Sequence, residues 1–155
     1  MSINIASWNI NSIRARETSL QKWIVDFNPD IIGLQETKVI DDQFPEEFFY
    51  KNGFDVRFFG QKSYNGVCLA FKRGSSIICE KVVKNMPSWE DEQARVITCS
   101  LLINDLHRVN FISVYVPNGS SVGDPKFSYK LLFLQKLTDF VKQLLKENDS
   151  LCMMG

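Results

Sequence analysis

Histidine is almost missing from this sequence: there is one in 155 residues, His107. It falls in the Asn104–Arg108 turn between two strand-like runs, far along the chain from every other polar cluster. A Ser-His-Asp or Cys-His site therefore has no support. Net charge is missing too, because 18 Lys and Arg balance 18 Asp and Glu. No global field draws in nucleic acid, and any such attraction must come from a local basic patch. Cysteine pairs are lacking. Cys68, Cys79, Cys99 and Cys152 sit singly within apolar runs and form no C-x-x-C motif. That argues against zinc and for buried free thiols in a reducing compartment. No apolar stretch approaches the roughly 20 residues of a membrane span. The opening Met1-Ser2-Ile3-Asn4 has neither the basic nor the long apolar region of a secretion signal. Repeats, low-complexity tracts and linkers are absent as well. The expectation is a soluble cytoplasmic protein without a membrane partner.

What is present suffices for one modest domain. Hydrophobic residues make up 45% of the chain, with 12 Phe and 3 Trp to fill a core. Ile3–Asn9 alternates and reads as a strand. Arg14–Asn28 reads as a helix with Leu20, Trp23, Ile24 and Phe27 on one face, stopped by Asn28-Pro29-Asp30. Ile31–Leu34 is continuously apolar, as in a strand buried on both faces. Pro45–Tyr50 suits a short helix ended by Gly53. Strands are then expected at 54–59, 66–71, 76–83, 95–103 and 109–116, separated by turn residues. Pro125–Glu147 reads as a long helix whose apolar stripe is Phe127, Leu131, Leu134, Leu137, Val141 and Leu145. Leu151–Met154 opens a last strand. This order suggests an α+β fold with a mainly β core and helices outside it.

Three polar clusters close buried strands, where a rigid scaffold can aim side chains into a cleft. Ser7-Trp8-Asn9-Ile10-Asn11 closes the first and Gln35-Glu36-Thr37-Lys38 the second. Glu36 offers carboxylate oxygen, and Asn9 or Asn11 offers amide oxygen. Mg²⁺ prefers oxygen ligands and is often held by one or two carboxylates plus water. On spacing alone, a solvated glutamate explains Glu36 better than a metal ligand does. Tyr115-Val116-Pro117-Asn118-Gly119 closes a later strand. Its hydroxyl and amide suit a phosphate oxygen, but on the cluster alone a packed Tyr before an ordinary turn explains it better. Arg95 opens a strand after Glu90-Asp91-Glu92; it either clamps a phosphate or pairs with those acids.

As an ordered set the clusters are more specific. Ser7-Trp8-Asn9-Ile10-Asn11-Ser12-Ile13-Arg14-Ala15-Arg16 resembles the opening motif of the exodeoxyribonuclease III family of abasic-site endonucleases. Ile32-Gly33-Leu34-Gln35-Glu36-Thr37-Lys38 resembles its second motif. Gly60–Val67, Gln93–Ile97 and Tyr115–Gly119 follow in the family's order, and the resemblance runs from Ile3 to Gly155. It implies a four-layered α/β sandwich of two packed β-sheets flanked by helices. It also implies a Mg²⁺-dependent phosphodiesterase, with Mn²⁺ as the alternative ion. Such an enzyme cuts double-stranded DNA 5′ to abasic sites and degrades strands from the 3′ end, acting as a monomer on abasic or 3′-damaged DNA. By resemblance Glu36 holds the metal and Asn9 supports it, while Asn11 stands where some relatives carry an acid. Tyr115 is the catalytic tyrosine on the scissile phosphate. Arg95, Asn118 and Lys126 bind the DNA backbone.

The resemblance also implies a missing part. The family's next motif is G-D-x-N, whose Asp activates water, and Gly155 matches its first residue. Residues 1–155 are therefore expected to be a partial domain, the N-terminal half of the sandwich with its second sheet missing, and inactive alone. The competing expectation is a noncatalytic half-domain that binds DNA or a partner. A single sheet would expose a large inner apolar face, which weighs against it. A phosphatase of the wider superfamily is a more distant alternative.

Overall fold

The computed structural model describes residues 2–147 and 150–155. Strand β1 (Ile5–Asn9) leads through a tight loop into helix α1 (Glu17–Phe27), and β2 (Ile31–Gln35) follows. A single 3-10 turn and helix α2 (Glu46–Lys51) precede β3 (Phe54–Phe59) and β4 (Val67–Lys72). Three longer strands come next: β5 (Ile77–Lys84), β6 (Val96–Ile103) and β7 (His107–Val114). Helix α3 (Pro125–Glu147) then crosses back to β8 (Leu151–Met154).

These strands form two four-stranded sheets, ordered β1-β2-β4-β3 and β5-β6-β7-β8. In the first, β1 runs parallel to β2, with Asn9 beside Gln35, and the other pairings are antiparallel. In the second, β8 runs parallel to β7. The alternation of side chains along each strand separates three apolar layers. Ile32, Leu34, Cys68 and Ala70 face Leu20, Ile24 and Phe49 of the first two helices. Ile31, Val67, Leu69 and Phe71 face Ile97, Cys99, Leu101 and Phe111 between the sheets. Val96, Ile112 and Val114 face Phe133, Leu137, Phe140 and Leu144 of α3. The result is a four-layered α+β sandwich, the architecture that the resemblance implies for the family. β2 is buried along its whole length, as its unbroken apolar run predicted.

The expected loss of the second sheet is corrected by the structure. The strands from Ile77 onward do not extend the first sheet; they form a second one that packs over it. Period-two alternation reports which face of a strand is buried but not which sheet the strand joins. The inner apolar face is therefore covered, and the objection to a folded half-domain lapses. Gly33 of β2 contributes to the close approach, since a Cβ there would meet the Met154 side chain at 3.1 Å.

Helix α1 starts later than expected. Asn11 and Ser12 take positive φ, and the Arg16 N–H closes a turn on the Ile13 carbonyl at 3.0 Å. Its end agrees: Asn28 caps it in the left-handed conformation. The stripe of α3 is rotated from the expected one. Phe133, Leu137, Phe140 and Leu144 are buried, whereas Leu131, Leu134 and Leu145 are exposed. Leucine recurs on more than one face of this helix, so the spacing fits two registers. The register that buries both Phe133 and Phe140 places the larger apolar surface against the sheet. Phe133 is 0% exposed and Leu131 52%. Phe133→Ala should therefore cost ~3–5 kcal/mol in urea unfolding, and Leu131→Ala less than ~1 kcal/mol. Equal losses would restore the stripe expected from sequence.

Candidate active site at the strand ends

The loops after β1 and β2 are zipped together by backbone hydrogen bonds. Ile10 N–H donates to the Gln35 carbonyl at 3.0 Å, Ser12 to Glu36 at 2.8 Å and Ile13 to Thr37 at 3.2 Å. Thr37 and Lys38 then donate to Gly66 and Asn65 at 3.1 and 3.0 Å. Gly66 N–H reaches the Ala94 carbonyl at 2.8 Å and so joins this loop to the start of β6. Glycine is required there: φ is +89°, and a Cβ would collide with the Thr37 hydroxyl. Glu36 and Lys38 also hold positive φ, at 55° and 54°. Non-glycine residues adopt that conformation at a cost, and it aims both side chains out of the loop.

The metal candidates lie together. Asn9 Nδ2 donates to Glu36 Oε1 at 2.8 Å. Lys38 Nζ lies 3.0 Å from Glu36 Oε2 and donates to Asn11 Oδ1 at 2.5 Å. Asn11 is thus linked to Glu36 through an ammonium, and its own carbonyl accepts from Arg16. Burial alone would raise the Glu36 carboxyl. Hydrogen bonds from Asn9, Lys38 and Tyr115, with the Lys38 charge, outweigh it and hold the carboxyl below its usual value of 4.5. The group is therefore a carboxylate at neutral pH.

Tyr115 follows β7 directly, and its N–H donates to the Arg95 carbonyl at 2.8 Å. Its hydroxyl meets the Glu36 carboxylate. Burial, then that hydrogen bond and charge, raise its pKa, so the phenol stays protonated as a donor. The Arg95 guanidinium sits 4.9 Å over the Tyr115 ring and 5.9 Å from that of Tyr129. Arg95 is held in place by Nε donating to Gln93 Oε1 at 2.9 Å and Nη1 to the Tyr115 carbonyl at 3.2 Å. The acids of the 90–92 run do not take it up in those bonds. Asp91 instead accepts from the Tyr129 hydroxyl at 2.6 Å. Arg95, Tyr115, Asn118 and Lys126 line one cavity of about 260 Å³.

A second cavity, of about 410 Å³, is lined by Ser12, Arg14, Lys38, Gln43, Lys62 and Ser63 among others. Three cations thus border one cavity and two the other, although the chain's net charge is zero. This is a local basic surface of the kind that composition alone cannot reveal. Among the described residues, no Asp, Glu or His lines either cavity. His107 opens β7 at the end opposite Tyr115 and is exposed, as its turn position suggested.

Several contributors were not picked out from sequence. Tyr129 lies three residues after Lys126, one helical turn along α3, so the spacing carried a signal. Lys38 stood in the second motif without a role. Gln93 and Gln35 also stood inside quoted motifs without a role: Gln93 holds Arg95, two residues on, and Gln35 acts through Ser113, distant in the chain.

A four-layered sandwich with an oxygen-donor, cation-bordered site at its strand ends is the class these features define. The chain belongs to the Endonuclease/Exonuclease/phosphatase family, whose profile matches residues 6–155. It is similar to exodeoxyribonuclease III of Haemophilus influenzae, with 33% identity over 150 residues, covering 96% of this chain and 55% of that protein. Among solved structures it resembles a 3′ phosphatase from Neisseria bound to a product DNA hairpin. The TM-score there is 0.87 at 33% identity, over 98% of this chain and 56% of that one. An AP endonuclease from Archaeoglobus fulgidus gives 0.82 at 32% identity, again over 98% and 56%. The chain thus spans about half the length of these relatives.

The lowered Glu36 carboxyl has a consequence for stability. A folded pKa below the unfolded one stabilises the fold above the unfolded value, and that contribution is lost as pH falls through the folded pKa. Urea midpoints of the wild type and Glu36→Gln should therefore differ most at neutral pH and converge on acidification below about 4. A gap that widens with acid would contradict the assigned hydrogen bonds.

Proposed function

We propose that this chain carries the cation- and phosphate-holding part of a DNA-repair phosphodiesterase site. The supporting observation is the Glu36–Tyr115 contact, flanked on one side by Asn9 and Lys38 and on the other by Arg95, Asn118 and Lys126. The substrate class is double-stranded DNA with abasic or 3′-damaged ends, bound by a monomer. The four free thiols favour a reducing compartment such as the cytoplasm.

A divalent cation fits the residues present. The candidate donors are oxygens, the Glu36 carboxylate and Asn11 Oδ1, while Asn9 supports Glu36 through its Nδ2. The Lys38 ammonium, bridging Glu36 and Asn11, marks where positive charge is already stabilised. Among the described residues no group of three His, Cys, Asp or Glu could hold a metal ion. One carboxylate with substrate oxygens and water suits Mg²⁺, and Mn²⁺ takes similar ligands. The bound ion would supply neutralisation of charge on the phosphoryl oxygens.

The chain's own side chains account for the rest of the binding. Arg95 is presented by Gln93 and by aromatic faces as a guanidinium toward a phosphate. The protonated Tyr115 donates to whichever anion it meets, Glu36 or a nonbridging oxygen. Asn118 is held by Ser120 N–H donating to its Oδ1 at 3.0 Å, so its amide nitrogen is directed outward as a donor. Among the described residues neither cavity is lined by an Asp, Glu or His to orient or deprotonate water. Binding without turnover is the behaviour this inventory supports. With the inner face covered, a noncatalytic DNA-binding role is compatible with the packing as well.

The 155-residue polypeptide should bind duplex DNA containing an abasic-site analogue more tightly with Mg²⁺ than without, and should not cleave an abasic duplex. Lys126→Ala should reduce the salt dependence of binding by about one unit of slope. Mg²⁺-dependent cleavage abolished by Glu36→Gln would show that a water-activating group is present after all. Absence of any binding would remove the functional reading itself.

A further inference from the structure

Outside the strand-end site, the most reactive grouping lies on the edge strand β5. Cys79 is paired in register with Leu101, and Cys99 lies two residues further along β6 on the same face. Between them the ladder skips Glu80, so that Lys81 pairs with Ser100 and Val82 with Cys99. Such a bulge sharpens the local twist and changes where neighbouring side chains point. Both cysteines join the apolar layer between the sheets, Cys99 buried and Cys79 half-buried. The register brings the two thiols close enough to interact, and Cys79 Sγ also lies 3.7 Å from the Lys81 carbonyl.

A cation completes the group. The Arg57 guanidinium, on β3 of the facing sheet, interacts with Cys79 by charge and hydrogen bond. It is fixed by Nη1 donating to the Val56 carbonyl at 2.9 Å and by the Phe71 ring, 5.5 Å away. A cavity of about 250 Å³ is bordered by Arg57, by Glu46 and Lys84, and by Val82, the residue paired with Cys99; neither cysteine lines it. It is ample for a peroxide, given that a water occupies ~30 Å³. The Cys99 contact, with Arg57, draws the Cys79 thiol below its usual pKa, while that contact and burial hold Cys99 protonated. Cys68, fully buried, is pushed the other way, toward inertness.

We propose that Cys79 and Cys99 form a peroxide-reactive dithiol that closes to a disulfide across β5 and β6. The Cys79 thiolate attacks one oxygen of hydrogen peroxide. The O–O bond breaks, hydroxide leaves, and Cys79 becomes a sulfenic acid. Cys99 sulfur then displaces the sulfenic oxygen, which departs with the thiol proton as water. The two sulfurs together give up two electrons, and the peroxide takes them up.

The test treats the full chain with a few equivalents of hydrogen peroxide under native conditions, then alkylates and digests it without reductant for mass spectrometry. A Cys79–Cys99 cross-linked peptide two hydrogens lighter than its reduced halves is expected, with alkylatable thiols falling from four to two. In Cys99→Ser, dimedone should label Cys79. Arg57→Gln should slow bridge formation about threefold to tenfold. Oxidation confined to Cys152, or four intact thiols in a chain whose circular dichroism shows it folded, would overturn the proposal. So would Cys79 oxidation in Cys99→Ser with no bridge in the wild type.

Discussion

Between the two sheets, in a layer otherwise filled by Ile31, Leu69, Ile97 and Phe111, the Gln35 amide donates to Ser113 Oγ at 3.1 Å. Ser113 passes the bond on to the Leu34 carbonyl at 3.1 Å, and Gln35 also reaches Ser7 Oγ at 3.3 Å. Three strands, β1, β2 and β7, are thereby tied at one level. A buried amide that loses its partner costs ~1–3 kcal/mol, so alternative offsets of one sheet on the other are disfavoured. The next residue after Gln35 is Glu36, and Tyr115 lies two residues after Ser113. Fixing the first pair fixes the distance between the second, and the Glu36–Tyr115 contact on which the site depends follows from it.

Around that contact the charges are sorted. One carboxylate faces an array of cations, while several other acids among the described residues are engaged elsewhere. Glu80 pairs with Arg108, Asp55 with Arg73 and Asp41 with Lys84. Asp91 is turned toward Tyr129 and the loop that presents Arg95. A chain with no net charge thus keeps a local basic surface. Lys38 neutralises Glu36 in the absence of another cation, which lets a lone carboxylate sit partly buried without becoming protonated.

Much of this could be read from sequence, and the limits have physical causes. β2 announced itself as an unbroken apolar run because it is covered by helices on one face and a sheet on the other. The strand-end clusters were legible because polar residues interrupt strong β patterns at Asn9, Glu36 and Tyr115. Their convergence was not, since Glu36 and Tyr115 belong to different sheets and only packing brings them together. The second sheet was missed for the same reason: alternation along Val96–Ile103 describes faces, not neighbours. The register of α3 was misread because leucines on two faces satisfy the same spacing, and the choice falls to how Phe133 and Phe140 fit against Ile112 and Val114.

If the inter-sheet amide sets the site, its loss should be felt at Glu36 without any change in the donors themselves. The direct measurement is Mg²⁺ titration of the wild type and Gln35→Met, following the backbone amide of Glu36 and the side-chain amide of Asn9 by ¹⁵N NMR. Replacing a group that orients a metal ligand typically weakens affinity about 10- to 100-fold. A loss of that size in a variant with a native-like spectrum is the expected result. Unchanged affinity would show that Glu36 is positioned by its own loop and that the Gln35–Ser113 bond serves only the packing.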